Sequence, residues 1–176
     1  MKTYLILSLL LEYPSAECVE NIGGLEDILH EEADENKGAA EVLAPLFEKL
    51  KAEPLLSLEM HYTDTFEQGR GNSLFLYEHL YGEDAARGLA LSDLLEKYAS
   101  HDFVAQSGEL PDFVPDVLEY LSVLSKEEAE EILGRTIHLF AVIKNNLMKR
   151  ESAYAAVFEV LESMSPIAPQ PLEALL

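Results

Sequence analysis

Residues 62–82 read YTDTFEQGRGNSLFLYEHLYG, and the way this stretch folds decides the rest of the chain. Tyr62 and Phe66 are four apart and continue back to Leu58 and Leu55, so one helix face is apolar while Glu59, Thr63 and Glu67 sit largely off it. Gly69 and Gly71 stop that helix and hold Arg70 between them. Asn72 or Ser73 can then cap a second helix that carries Leu74, Phe75, Leu76, Tyr77 and Leu80. The spacing predicts a helix, a tight turn and a helix. A second helix that is apolar on nearly every side is either deeply buried or shares its surface with a partner. The stretch therefore points to a binding surface rather than a reaction centre.

Outward from it, helix formers recur at spacings of three and four and runs of alternating β-branched residues are nearly missing. The expectation is an all-α, single-domain bundle of about eight helices with short loops over residues 1–164, followed by a frayed, proline-rich tail over 165–176. Helix one spans about 2–13 and ends at Pro14. Ser15 caps the next, which Gly23 and Gly24 break or kink before it resumes at 25–33. Helices follow at about 39–52, from Pro54 as a first-turn proline, at 84–99 and at 112–124. Ser125 with Glu128 three residues on makes a capping box for a long helix to about Met148, and a last helix carries Tyr154, Val157, Phe158 and Leu161.

Composition narrows the partners. The chain has 176 residues, 48% of them hydrophobic, which suits one core of ordinary size. A formal net charge of -21, from 33 acidic against 12 basic residues, argues against nucleic acid, whose phosphates require clustered Lys and Arg. It favours basic partners, and it also keeps an apolar-rich protein soluble. Cys18 is the single cysteine, so no internal disulfide forms, and a reducing, cytoplasmic compartment fits. The opening MKTYLILSLLL resembles a signal peptide only superficially: Glu12 follows at once and no A-x-A-like site comes next. About nine mostly apolar residues are also too few to cross a membrane, which takes roughly 20.

Little in the chain encodes catalysis. No Glu-x-x-His pair recurs, His30 to Asp34 lacks the second histidine of a zinc protease motif, and Asp27 with His30 is better read as a solvated helix face than as a metal pair. No metal or resident cofactor is implied. Arg70 has two readings: it locks the turn by pairing with Asp64, Glu67 or Glu78, or it anchors a partner's acidic group. His79, beside Glu78, reads as a satisfied, semi-buried residue or as a pH-sensitive contact. The competing class is a small helical enzyme or nucleotide-binding protein using Arg70, Glu78 and His79. A third reading is an oligomerisation domain whose same surface closes on a copy of itself as a homodimer.

The pattern formed by Tyr62, Asp64, Phe66, Gly69, Arg70, Ser73, Leu74, Leu76, Glu78, His79 and Gly82 resembles the signature of the nitrate reductase molybdenum cofactor assembly chaperones, the NarJ family. Leu10-Leu11-Glu12-Tyr13-Pro14, Arg87-Gly88 with Leu94-Leu95, and Glu109-Leu110-Pro111-Asp112 with Pro115, Leu118 and Glu119 are similar to further family segments, so the resemblance spans about residues 10–120. Phe75 and Tyr77 stand where relatives often show His and Phe, and Asn72 where Thr is common. The resemblance implies a non-enzymatic cytoplasmic chaperone. It would bind the N-terminal segment of the nitrate reductase catalytic subunit and keep it from docking at the membrane until its molybdenum cofactor is inserted. The candidate partner-binding residues are Tyr62, Asp64, Phe66, Arg70, Ser73, Leu74, Phe75, Tyr77, Glu78 and His79: an apolar groove for the nonpolar face of a peptide helix, with an acidic rim for its basic side chains.

Overall fold

In the computed structural model, which describes residues 2–36, 38–82 and 84–171, the apolar opening of the chain becomes a buried helix, α1 (Lys2–Leu11). Tyr4, Ile6, Leu7, Leu10 and Leu11 are all inside. Its polar residues are satisfied at long range: Thr3 donates its N–H and hydroxyl to Glu32, and Ser8 donates to the Pro115 carbonyl at 2.8 Å. That last bond ties α1 to α8 (Val114–Val123), its main packing partner. The helix stops two residues before its expected end because Pro14 disfavours helical backbone at Tyr13, which leaves Glu12 and Tyr13 to point elsewhere.

Ser15 caps α2 (Ala16–Glu31) by accepting from the Cys18 N–H at 3.1 Å. The break expected at Gly23 and Gly24 does not occur. A Cβ at either position would meet nothing within 4 Å, and a glycine weakens an exposed helix interior by about 1 kcal/mol without removing a hydrogen bond. One turn, α3 (Ala33–Asn36), follows. Buried Asn36 donates to the Leu29 carbonyl and accepts from the Ala39 N–H, joining α2 to α4 (Ala39–Ala52).

The remaining α-helices are α5 (Leu55–Tyr62), α6 (Glu78–Tyr81), α7 (Ala86–Ser100), α9 (Lys126–Lys149) and α10 (Ala155–Met164). Among the described residues, eight helices have eight residues or more, two are single turns, and no strand forms beyond one isolated bridge. The all-α expectation holds. The capping box is as the sequence spelled it, with Glu128 N–H donating to Ser125 Oγ and Ser125 N–H donating to Glu128 Oε2. The core centres on α9 against α10, and α10 in turn against α4, where the fully buried rings of Phe140 and Phe158 lie 6.1 Å apart.

The tail is not frayed where it is described. Pro166 and Ile167 cover Gly134 on α9, and the Gln170 N–H donates to His138 Nδ1 at 2.8 Å. Residues 172–176 lie outside the described residues. Among the described residues, no helix is long and apolar enough to cross a membrane.

Candidate functional site

The helix–turn–helix expected over residues 62–82 is the main point at which the structure departs from the sequence reading. The apolar stripe expected there does bury Leu58 and Tyr62 on α5 and Phe66 just beyond it. The backbone then widens into a π-helical turn, Thr63–Glu67, closed by Gln68 N–H donating to the Thr63 carbonyl five residues back. Gly69 ends it at φ 115° and ψ 150°, a conformation essentially reserved for glycine. A short 3-10 turn, Arg70–Asn72, follows, pinned to α9 by Asn146, whose amide donates to the Gly71 carbonyl at 2.7 Å.

No helix begins at Asn72 or Ser73. Leu74 and Leu76 are only 3% and 1% exposed while Phe75 between them is half-buried, the alternation of a strand, before the chain turns at Leu76 and Tyr77. Residues 74–76 pair with residues 112–114: Leu76 N–H donates to the Asp112 carbonyl, Val114 N–H to the Leu74 carbonyl, and Phe75 bridges Phe113 in antiparallel fashion with rings 5.4 Å apart. Tyr77 N–H donates to Asp112 Oδ2 at 2.9 Å, and Arg87 reaches Glu78 at 3.2 Å and Asp112 at 3.4 Å. Only then does α6 supply a single helical turn.

This irregular stretch forms one side of a cleft of about 660 Å³. Its floor is Tyr62, Phe66 and Leu74; Phe75, Phe113 and Tyr13 rise as aromatic walls. Tyr62 and Phe66 are 4% and 6% exposed, whereas Tyr13 is 51% exposed. The rings form a contiguous network, Tyr13 to Tyr62 to Phe66 to Tyr154, with centroids 4.9–5.4 Å apart. Tyr62 also donates its hydroxyl to the Leu11 carbonyl at 2.8 Å, fixing the end of α1 beside the cleft. Burial pushes its phenol well above the ordinary range.

Five carboxylates line the cleft, Glu12, Glu67, Glu109, Glu119 and the buried Asp116, and among the described residues no Lys, Arg or His lines it. Three of them are raised above the ordinary carboxylate range. Burial does this first at Glu12, followed by the charges of Glu119 and Asp116. At Asp116 burial again leads, opposed by the hydroxyl and N–H of Ser107 and supported by Glu109; at Glu119 burial is joined by Asp116. Like charges thus crowd one side of an apolar trough. A second groove, of about 570 Å³, shares Glu109 with the cleft and is lined by Leu95, Tyr98, Phe103 and Val104 among others.

Of the ten residues singled out from sequence, Tyr62, Phe66, Leu74 and Phe75 line the cleft. The others do not. Asp64 is exposed, accepts from the Gln68 amide and borders a shallower hollow. Arg70 is exposed at the start of the 3-10 turn. Ser73 is buried and accepts from the Phe75 N–H. Tyr77 stacks edge-on with Tyr81, Glu78 pairs with Arg87, and His79 donates Nε2–H to the Ser73 carbonyl at 2.8 Å. The sequence-derived set lacks Tyr13, Phe113 and the five lining carboxylates; Glu67 lies within the 62–82 stretch itself, whereas Glu12, Tyr13, Glu109, Phe113, Asp116 and Glu119 come from distant segments. Away from the cleft, His30 lies 3.8 Å from Glu41, and the described residues hold no cluster of three or more His, Cys, Asp or Glu placed for a metal.

Fold and cleft together define an all-helical protein built around an acid-rimmed aromatic receptacle. The model of the nitrate reductase delta subunit family matches residues 31–159, and the chain belongs to that family. It is 35% identical to the nitrate reductase molybdenum cofactor assembly chaperone NarJ of Escherichia coli K12 over 163 residues, 93% of this chain and 69% of NarJ. It is 33% identical to NarW of the same strain, described as a probable chaperone of the same kind, over 92% of this chain and 67% of NarW. The crystal structure of a protein assigned to redox enzyme maturation in Archaeoglobus fulgidus shares the fold, with a TM-score of 0.66 and 19% identity over 93% of this chain and 92% of that one. The NarJ resemblance carried by the 62–82 signature is thus borne out.

Proposed function

We propose that this chain is a cytoplasmic chaperone for a nitrate reductase catalytic subunit. It takes that subunit's N-terminal segment as an amphipathic helix and holds it away from the membrane while the molybdenum cofactor is inserted. The observation that carries the reading is the cleft itself: an aromatic floor accepts the nonpolar face of a helix, and its acidic lining, with no cation among the described lining residues, attracts its Lys and Arg side chains. The relatives named above supply the client. Less supports the competing enzyme reading, because Glu78 pairs with Arg87, His79 bonds the Ser73 carbonyl, and neither they nor Arg70 line the cleft.

Calorimetry with a synthetic peptide of the client's N-terminal segment tests it. Binding is expected in the micromolar range or tighter, weakened about tenfold by Glu12→Gln with Glu119→Gln and falling as salt screens the rim. No heat and no chemical-shift change with any such peptide would sink the proposal.

A further inference from the structure

Arg87 and Asp112 stand outside the cleft lining, yet the extended pair that carries the Phe75 and Phe113 wall converges on them. Asp112 is fully buried. Its carbonyl accepts from Leu76, its Oδ2 accepts from Tyr77 and from Arg87, and the next residue bridges Phe75. Arg87 spreads its fork between Asp112 and Glu78, so it reaches both the 112–114 segment and the residue that follows Tyr77.

Two features say what this arrangement does. A pairing this short is marginal in water without further support, and a one-residue slip would exchange its faces, sending Leu74 and Leu76 outward and Phe75 inward. The ion pair is also incompletely satisfied, because Arg87 Nε and Asp112 Oδ1 are buried without a partner. A buried pair with loose ends returns little net stability, so what it contributes is a defined geometry.

We propose that Arg87 and Asp112 are a register latch: a positioning pair that holds residues 74–77 against 112–114 so that Phe75 and Phe113 face the cleft, without touching the bound peptide. The role in binding rests on the peptide-cleft reading above. Arg87 and Asp112 set which rings the client helix meets, and the rim carboxylates set its charge.

The test is the double variant Arg87→Met, Asp112→Leu, which removes both charges and leaves no unpaired ion. Three readouts are taken: thermal midpoint, ring-to-ring NOE cross-peaks between Phe75 and Phe113 in the ligand-free protein, and peptide affinity. The midpoint is expected to hold or rise, the cross-peaks to vanish, and affinity to fall about tenfold with its salt dependence unchanged. Arg87→Lys, which keeps the charge but not the planar fork, is expected to lie between wild type and the double variant, and it serves the same readouts if the double variant does not fold. Cross-peaks of wild-type intensity, or affinity within about twofold of wild type despite their loss, overturn the latch. If wild type itself binds no peptide, the chaperone reading fails alone, and the ligand-free cross-peaks still decide whether the pair sets the wall.

Discussion

The α9–α10 packing and the cleft segment are built from similar residues by opposite rules. In α9 and α10 the backbone is regular and the contact is mostly apolar, with Leu133, Ile137, Phe140, Val157, Phe158 and Leu161 fully buried beside a Lys144–Glu162 ion pair. Around the cleft the chain passes through a π-turn, a glycine at φ 115°, a 3-10 turn and a few extended residues, and it buries Asn72, Ser73, Asp112 and Asp116. The first region supplies cohesion. The second accepts buried polar groups and irregular backbone, as local strain and polarity at functional sites commonly do. Stability and recognition should therefore respond separately to change.

The widest separation is expected at Phe158→Ala. Removing that ring from the α9–α10 core should cost about 3–5 kcal/mol in urea unfolding and leave the peptide affinity of the folded protein unaltered. A loss of affinity in step with stability would show that the two regions are one cooperative unit.

Lowering pH from neutral should move the two properties in opposite directions. Glu12, Asp116 and Glu119 hold their protons more tightly in the folded chain than in the unfolded one. Their contribution to stability is thus unfavourable above the raised values and is relieved as pH falls toward the ordinary carboxylate range. Two groups act the other way. His61, lowered first by burial and then by Lys49, opposes the three carboxylates as pH falls through the ordinary histidine range, one imidazole against three carboxyls. Glu128, lowered by its Ser125 bonds, does so only below the carboxylate range. Over mildly acidic pH, unfolding midpoints should rise while affinity for a basic peptide falls as the rim loses charge. Parallel changes in both would place the peptide's cations elsewhere.

The smallest effect is expected at Gly24→Ala. In an uninterrupted α2 with open space at that Cβ, the substitution should stabilise by about 0.5–1 kcal/mol, without altering peptide affinity. Destabilisation would indicate that the helix bends there.

These contrasts also mark what could be read beforehand. Regular helices announced themselves, because their burial follows the 3.6-residue period and their ends carry local chemistry such as Ser15 and the Ser125–Glu128 box. The cleft did so only in part. Leu74 to Tyr77 is a continuous apolar run, and such a run conceals whether its period is two or 3.6; only the inward Leu74 and Leu76 on either side of half-buried Phe75, with its bridge to Phe113, reveal that no helix starts there. Arg70 drew notice for its place between two glycines, whereas the arginine that organises the 74–77 segment is Arg87, whose partner lies 25 residues on. Glu12, Asp116 and Glu119 meet only because α1 packs on α8, a contact between distant segments that no local pattern encodes.

Chemical-shift mapping of the labelled chain titrated with the client's N-terminal peptide is the most direct test of where recognition occurs. The largest changes are expected at Tyr13, Phe66, Phe75, Phe113 and Glu119, around the acid-rimmed cleft. Changes concentrated on α9 and α10, or in the neighbouring groove at Leu95 and Val104, with those residues unmoved, would contradict it.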